Sequence, residues 1–150
     1  MTNAIQTLSG DSLPLPAPRR SYADLETWRA YETFFPERMR CTPESLPTEE
    51  WWSWNGLDVH IDRMAVPEAR VKVIVLHGAG AYGRVMSPAA VIARRHGYET
   101  VCPDLPGYGL TQVPRGRMLY SLWVDCVCAL IDARANVTFP SLFPLAAPSE

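Results

Sequence analysis

The sequence predicts an α/β fold whose first strands are antiparallel, and three observations carry that expectation. Trp51-Trp52-Ser53-Trp54, Asn55-Gly56 and Leu57-Asp58-Val59-His60-Ile61-Asp62 read as a hairpin. The run Val71 to Leu76 is almost continuous hydrophobe around one lysine and ends in His77-Gly78. Two helical segments, near 87–97 and 118–133, then alternate with a short strand. The 150 residues allow one domain, and 47% hydrophobic with 20% charged content describes a globular chain.

Residues 1–20 carry Pro14, Pro16 and Pro18 and are expected to form a flexible arm. Residues 21–49 are expected to be a helical appendage and link. Ser21 would cap a helix with Asp24 in its first turn, and Leu25, Trp28, Tyr31 and Phe35 recur at helical spacing until Pro36 stops it. A polar, proline-bearing link, Cys41 to Glu50, follows. In the hairpin, Asn-Gly suits a type I′ turn, and the second arm alternates with period two. That alternation places His60 on the polar face, where a solvated strand histidine is expected.

After Pro67, Val71 to Leu76 reads as a strand buried on both faces of a sheet. Ser87-Pro88 is a helix start, with Ser as cap and Pro at the first helical position. That helix carries Arg95 and His96 in its last turn and ends at Gly97. Tyr98 to Pro103 is the next strand, and Asp104-Leu105-Pro106-Gly107-Tyr108-Gly109 is a loop. From Met118 to Ala133 the pattern is amphipathic, with Leu119, Leu122, Trp123, Cys126, Val127 and Leu130 on one side.

The net charge of −2 gives no footprint for a polyanion, so no nucleic-acid partner is expected. Cys41, Cys102, Cys126 and Cys128 show no CxxC or His-rich ligand pattern; they read as reduced thiols of a cytoplasmic protein, with no metal. Residues 1–20 lack the pattern of a signal peptide, and no run approaches the ~18 apolar residues of a membrane span.

The glycine turn after Leu76 admits two readings, since backbone N–H groups at the end of a strand can hold a phosphate or a developing oxyanion. Gly78-Ala79-Gly80-Ala81-Tyr82-Gly83 fits G-x-G-x-x-G, and Asp104 lies 21 residues beyond Gly83. That is the pattern of a dinucleotide site using Gly78, Gly80, Gly83 and Asp104. Against it, Pro88 would fall about one turn inside the helix that such a site requires, where it costs ~3 kcal/mol. A tryptophan-rich hairpin also precedes the strand, and a loop of tight turns follows Asp104.

The order of hairpin, hydrophobic strand ending His77-Gly78, loop, helix, and strand ending Asp104-Leu105-Pro106-Gly107-Tyr108-Gly109 resembles the N-terminal half of the α/β-hydrolase fold. The resemblance covers about residues 50–134. It implies a serine hydrolase of the lipase, esterase or aminopeptidase kind, acting without cofactor on a small-molecule acyl substrate with an ester, thioester or amide bond. It implies an oxyanion-hole loop at His77, Gly78, Ala79 and Gly80, with the N–H of Ala79, or of Gly80, as donor and His77 as a structural residue. Asp104, Gly107 and Gly109 would form a supporting loop.

The nucleophile elbow of this family, G-x-S-x-G, does not occur in the 150 residues, and no catalytic triad residue is expected among them. Asn136 to Glu150 holds three prolines and no glycine, which does not suit a central parallel strand. Residues 135–150 are therefore expected to be an irregular tail, out of frame near Arg134 or cut by a wrong gene boundary. The expectation is a truncated hydrolase, inactive alone, whose Val71–Leu76 strand has an unpaired edge that aggregates or pairs with a partner. The alternatives are a truncated dinucleotide-binding domain and a non-enzymatic partner-binding module.

Overall fold

The computed structural model describes residues 19–135, and the flexible arm and the irregular tail expected from the sequence lie almost wholly outside them. The strands are β1 (Thr48–Trp54), β2 (Leu57–Met64), β3 (Lys72–Ile74) and β4 (Glu99–Pro103), and the helices are α1 (Glu26–Glu32), α2 (Ser87–Arg95) and α3 (Tyr120–Ala135). The four strands form one sheet of order β1-β2-β4-β3. β1 and β2 are antiparallel, β2 is antiparallel to β4, and β3 runs parallel to β4. Helix α2 makes the crossover between the two parallel strands, as a parallel pair requires.

The hairpin forms as its turn dictates. Asn55 and Gly56 have φ of 49° and 68°, the two left-handed residues of a type I′ turn, and Trp54 pairs with Leu57 across it. Leu57, Val59 and Ile61 point to one face of the sheet with Val101, where Leu122, Cys126 and Leu130 of α3 cover them. Those three helical positions recur every four residues, so α3 buries a narrow stripe. α3 begins at Tyr120, and Leu119, expected on the buried side, is 65% exposed because it precedes the first helical turn.

On the opposite face, Met64 and Cys102 pack against Ala90 and Val91 of α2. Tyr22, Trp28 and Leu110 form a third cluster beside them, so the N-terminal segment covers the remainder of that face. Ser21 caps as expected, its hydroxyl accepting from the Ala23 amide, but it starts a single 3-10 turn over Tyr22–Asp24. Leu25 is extended, with ψ 107°, and only then does α1 begin. It ends at Glu32, before Phe35 and Pro36. Ser87 also departs from expectation: a 3-10 turn, Gly83–Met86, leads directly into α2, so Ser87 is its first residue and not its cap. Pro88 does occupy the first turn, and Gly97 follows the helix with φ 80°.

Two burial expectations are overturned. Only Lys72–Ile74 is strand, and Val71 and Leu76 are 47% and 44% exposed, because β3 lies at the sheet edge with β4 on one side alone. His60 is fully buried. Period-two alternation shows that β2 has two unlike faces; it does not show that the polar one is wet. β2 is an interior strand, and the N-terminal segment covers the face that carries His60 and Asp62.

Cys102 and Cys126 are buried, Cys128 is exposed, and all four thiols are free. Burial pushes Cys102 up to about 12 and Cys126 up to about 11, so neither is a ready nucleophile. No helix among the described residues is long and apolar enough to cross a membrane. Leu130→Ala, which empties a fully buried position between α3 and the sheet, is expected to cost about 2–5 kcal/mol in urea unfolding. Ile131→Ala, one residue along on the half-exposed side, is expected to cost a small fraction of that.

Candidate functional site

The turn from His77 to Gly83 leaves the C-terminal end of the parallel strand β3. Gly78, Ala79 and Gly80 are exposed, and the amides of Ala79 and Gly80 donate to no acceptor among the described residues. A Cβ at Gly78 or Gly80 would meet nothing within 4 Å, so this backbone faces open space. Exposed, unoccupied N–H groups on a fixed turn are what an oxyanion requires.

The turn is fixed at its two ends, and both restraints come from consecutive residues at the end of β4. At the start, the Leu105 amide donates to His77 Nε2 at 3.0 Å. Nε2 therefore accepts, the proton sits on Nδ1, and Nδ1–H donates to the Gly78 carbonyl at 2.9 Å. His77 is buried and acts as a bridge between the two loops. Its ring meets Tyr108 edge-on at 5.1 Å, and Tyr108 in turn packs on Trp123 of α3, whose indole N–H donates to the Pro106 carbonyl.

At the far end, the Gly83 amide donates to Asp104 Oδ1 at 2.6 Å. Gly83 is irreplaceable on space alone: a Cβ there would lie 2.5 Å from the Cys102 carbonyl oxygen and 3.0 Å from Asp104 Oδ1. Asp104 is fully buried. Its other oxygen, Oδ2, accepts from the Leu110 amide at 2.8 Å and from the Tyr22 hydroxyl at 2.7 Å. The Gly107 amide closes the same loop on the Thr111 carbonyl, with Gly107 in the left-handed region at φ 85°.

Asp104 belongs to a buried charge cluster that sequence reasoning missed. His60 Nδ1 lies 3.2 Å from Asp104 Oδ2, an ion-pair contact off the line of a hydrogen bond. His60 Nε2 lies 3.1 Å from Glu49 Oε2 and 4.0 Å from Asp62 Oδ1. Arg84, itself buried, places its guanidinium on Asp62 through both Nε and Nη2 and reaches Glu49 at 2.8 Å. Tyr22 and Trp28 stack over that guanidinium at 5.0 and 5.7 Å. Three carboxylates thus face two cations.

The cluster biases the protonation of its members. Burial disfavours the imidazolium of His60, but the carboxylates of Asp104, Asp62 and Glu49 outweigh it and hold the group above its ordinary range. Burial likewise opposes ionisation of Glu49, yet Arg84 and the donors from Ser21, Tyr22 and His60 keep it below the usual carboxylate range. For Asp62 burial wins, and its pKa is raised despite Arg84. Burial and the adjacent Asp104 carboxylate push the Tyr22 phenol far up, so it stays a neutral donor.

Glu49, His60 and Asp62 have the spacing of a metal-ligand set. Arg84 already supplies the positive charge at that point, so the donors fit a guanidinium and not a metal ion. The sequence signal was Asp and His at alternate positions of a strand, followed downstream by an arginine directly after the last glycine of the turn. The same geometry bears on a dinucleotide. An acidic residue that binds ribose must be reachable, whereas both Asp104 oxygens are enclosed and occupied by this chain's own donors.

Gly83→Ala is expected to cost about 1–3 kcal/mol, because the new methyl must displace the β4 backbone; urea unfolding would show it. The raised pKa of His60 gives a stabilisation that is fully present below the unfolded value of about 6.5 and is lost as pH rises through the folded one. Unfolding free energies measured between pH 6 and pH 9 should therefore fall with pH for the natural chain, and more gently for His60→Gln.

No family model and no curated protein sequence matches the chain. Solved structures do resemble it. A soluble variant of monoglyceride lipase from Saccharomyces cerevisiae superposes with TM-score 0.55 at 20% identity, over 66% of this chain and 32% of that one. An epoxide hydrolase from Vigna radiata gives 0.53 at 26% identity, over 63% and 30%. The thioesterase domain of the curacin biosynthetic pathway gives 0.54 at 20%, over 58% and 31%. The chain spans about a third of the length of each. Its four-stranded mixed sheet with flanking helices has the α/β-hydrolase fold, in part.

Proposed function

We propose that this chain supplies the oxyanion-donor side of a serine α/β-hydrolase site acting on ester, thioester or amide bonds. The observation that carries the reading is the turn His77–Gly83. It stands at the end of a parallel strand, is restrained at both ends by Leu105 and Asp104, and leaves the amides of Ala79 and Gly80 unused. Preorganised donors of this kind stabilise the negative oxygen of a tetrahedral intermediate without reorganising, and one such donor is worth about 10²–10³ in rate. His77 orients the turn and is not the base, since both its ring nitrogens are engaged by backbone.

Beside the turn lies an apolar hollow of about 290 Å³, lined by Leu76, Leu105, Tyr120, Trp123, Val124 and Val127. Leu76 and Leu105 adjoin His77 and Asp104, so the hollow sits next to the donors. It supports an acyl group or an apolar element of the remaining site at that place. In this reading the nucleophile, the acid and the base lie outside these 150 residues, which contain no G-x-S-x-G. The chain alone is then catalytically silent, because donors without a nucleophile give little rate. The strands that complete the sheet pair with β3, whose outer side is unpaired among the described residues. A reducing, cytoplasmic setting, supported by the free thiols, belongs to the same reading, as does chemistry without a cofactor.

A fluorophosphonate probe tests the proposal. It is expected not to label the 150-residue chain, and to label a polypeptide in which this chain is extended by a segment bearing the nucleophile elbow. Labelling of the short chain, or no labelling of the extended one, would count against it. A fluorescence titration with NAD(P)H is expected to show no micromolar binding; saturable binding would favour a nucleotide site instead.

A further inference from the structure

The donor turn is held by its neighbours in the sheet, but the restraint does not stop there. Asp104 can hold Gly83 only if its carboxylate is prevented from turning about Cβ–Cγ. Oδ1 faces Gly83, and the partners on Oδ2 stop the rotation. Leu110 belongs to the same loop as Asp104, so its amide moves with that loop. Tyr22 does not. It comes from a segment 82 positions away and reaches Oδ2 with a hydrogen bond of 2.7 Å, whereas the other outside contact on that oxygen, His60 Nδ1 at 3.2 Å, is off the line of one.

Three further features converge on that contact. Gly109, at φ 53°, has no side chain where a Cβ would collide with both the Tyr22 hydroxyl and the Asp104 carboxylate. The loop sequence therefore leaves room for this bond. The Tyr22 ring stacks on Tyr82 at 5.2 Å with 13° between planes, and Tyr82 is the turn residue next to Gly83. The Tyr22 amide is fixed in turn by the Glu49 carboxylate, which also accepts from Arg84. The hydroxyl and the ring of one residue thus touch the anchor of the turn and the turn itself.

We infer that Tyr22 is a positioning residue for the donor turn, acting through Asp104, so that docking of the N-terminal segment sets the order of the turn. The inference rests on the hydrolase reading only for the purpose of the turn; the mechanical coupling stands apart from it. Tyr22→Phe removes the hydroxyl and keeps the ring that stacks on Tyr82 and Arg84.

Residue-resolved amide hydrogen exchange on the full 150-residue chain reads the coupling. Loss of one bond to a carboxylate is expected to speed exchange of the Gly83 and Leu110 amides about tenfold, with the amides of β2 and β4 unchanged. Ser21→Ala, which removes a bond to Glu49 and the cap on Ala23 but not the Tyr22 hydroxyl, is expected to speed exchange of the Ala23 amide and leave Gly83 as it was. The inference is overturned if Tyr22→Phe frees residues 21–28 but not Gly83. It is overturned equally if exchange rises evenly through the sheet or the chain fails to fold, since Tyr22 would then support the domain as a whole. In an extended, probe-reactive polypeptide the same substitution should lower kcat about tenfold at unchanged KM. A reactive polypeptide insensitive to Tyr22→Phe would sink this inference alone, whereas loosening of Gly83 in an unreactive one would sink the hydrolase reading alone.

Discussion

A carboxylate with no access to water, Asp104, is the constraint on which the rest of this structure depends. Leaving such a group unpaired would cost several kcal/mol, so the fold surrounds it with partners from four separate stretches of chain. Tyr22 donates from the N-terminal segment, Gly83 from the end of the turn after β3 and Leu110 from the loop after β4, while His60 in the middle of β2 makes an ion-pair contact. None of these stretches can be displaced without stripping a partner from a buried charge. The donor turn inherits its definition from that requirement. A group with no exposed atom thus decides how the exposed amides of Ala79 and Gly80 are presented.

The hairpin is legible in the sequence because its signals are local: Asn55-Gly56 demands left-handed backbone, and the alternation on β2 demands unlike faces. The α2 boundaries are legible within a turn for the same reason, Pro88 at the start and Gly97 at the end. The departures concern tertiary questions. Whether the polar face of β2 meets water depends on a segment much earlier in the chain, which no pattern around His60 reports. Whether Val71 to Leu76 is covered on both faces depends on what packs there, and a hydrophobic run reads alike in either case. Ser21 shows the limit of capping rules. The cap is real, but it opens only one tight turn, because Leu25 must go extended to bring Tyr22 and Trp28 onto Arg84.

The candidate site divides along the same line. His77, Gly78, Ala79 and Gly80 are visible in their spacing, since a turn after a strand is a local feature. Asp104, Gly107 and Gly109 are visible as a loop, and the structure gives two of them physical reasons: Asp104 faces inward, and Gly109 clears the space for a tyrosine from elsewhere. Tyr22 and Glu49 escape a sequence reading, because their significance is contact made at long range, and Arg84 offers only its place after the last glycine of the turn. Glycine spacing identifies where a backbone must be bare, not which side chain takes the vacated space.

The sheet also carries charges on its other face, and the two sets differ in their exposure. Arg63 bonds Glu99 and Glu50, Lys72 reaches Glu99, and Arg134 of α3 holds Glu50; Glu99 is buried, and the other four are partly open to solvent. Mobile ions weaken pairs of that kind once the Debye length falls to a few ångströms, whereas Arg84, enclosed by Tyr22, Trp28 and Asp62, is beyond their reach. Rising ionic strength therefore acts unequally on the molecule. It weakens the pair of Arg134 with Glu50, which joins α3 to the sheet, while the clamp on Arg84 stays, so in a salty medium α3 rests on its apolar stripe and the N-terminal segment keeps its charge contacts.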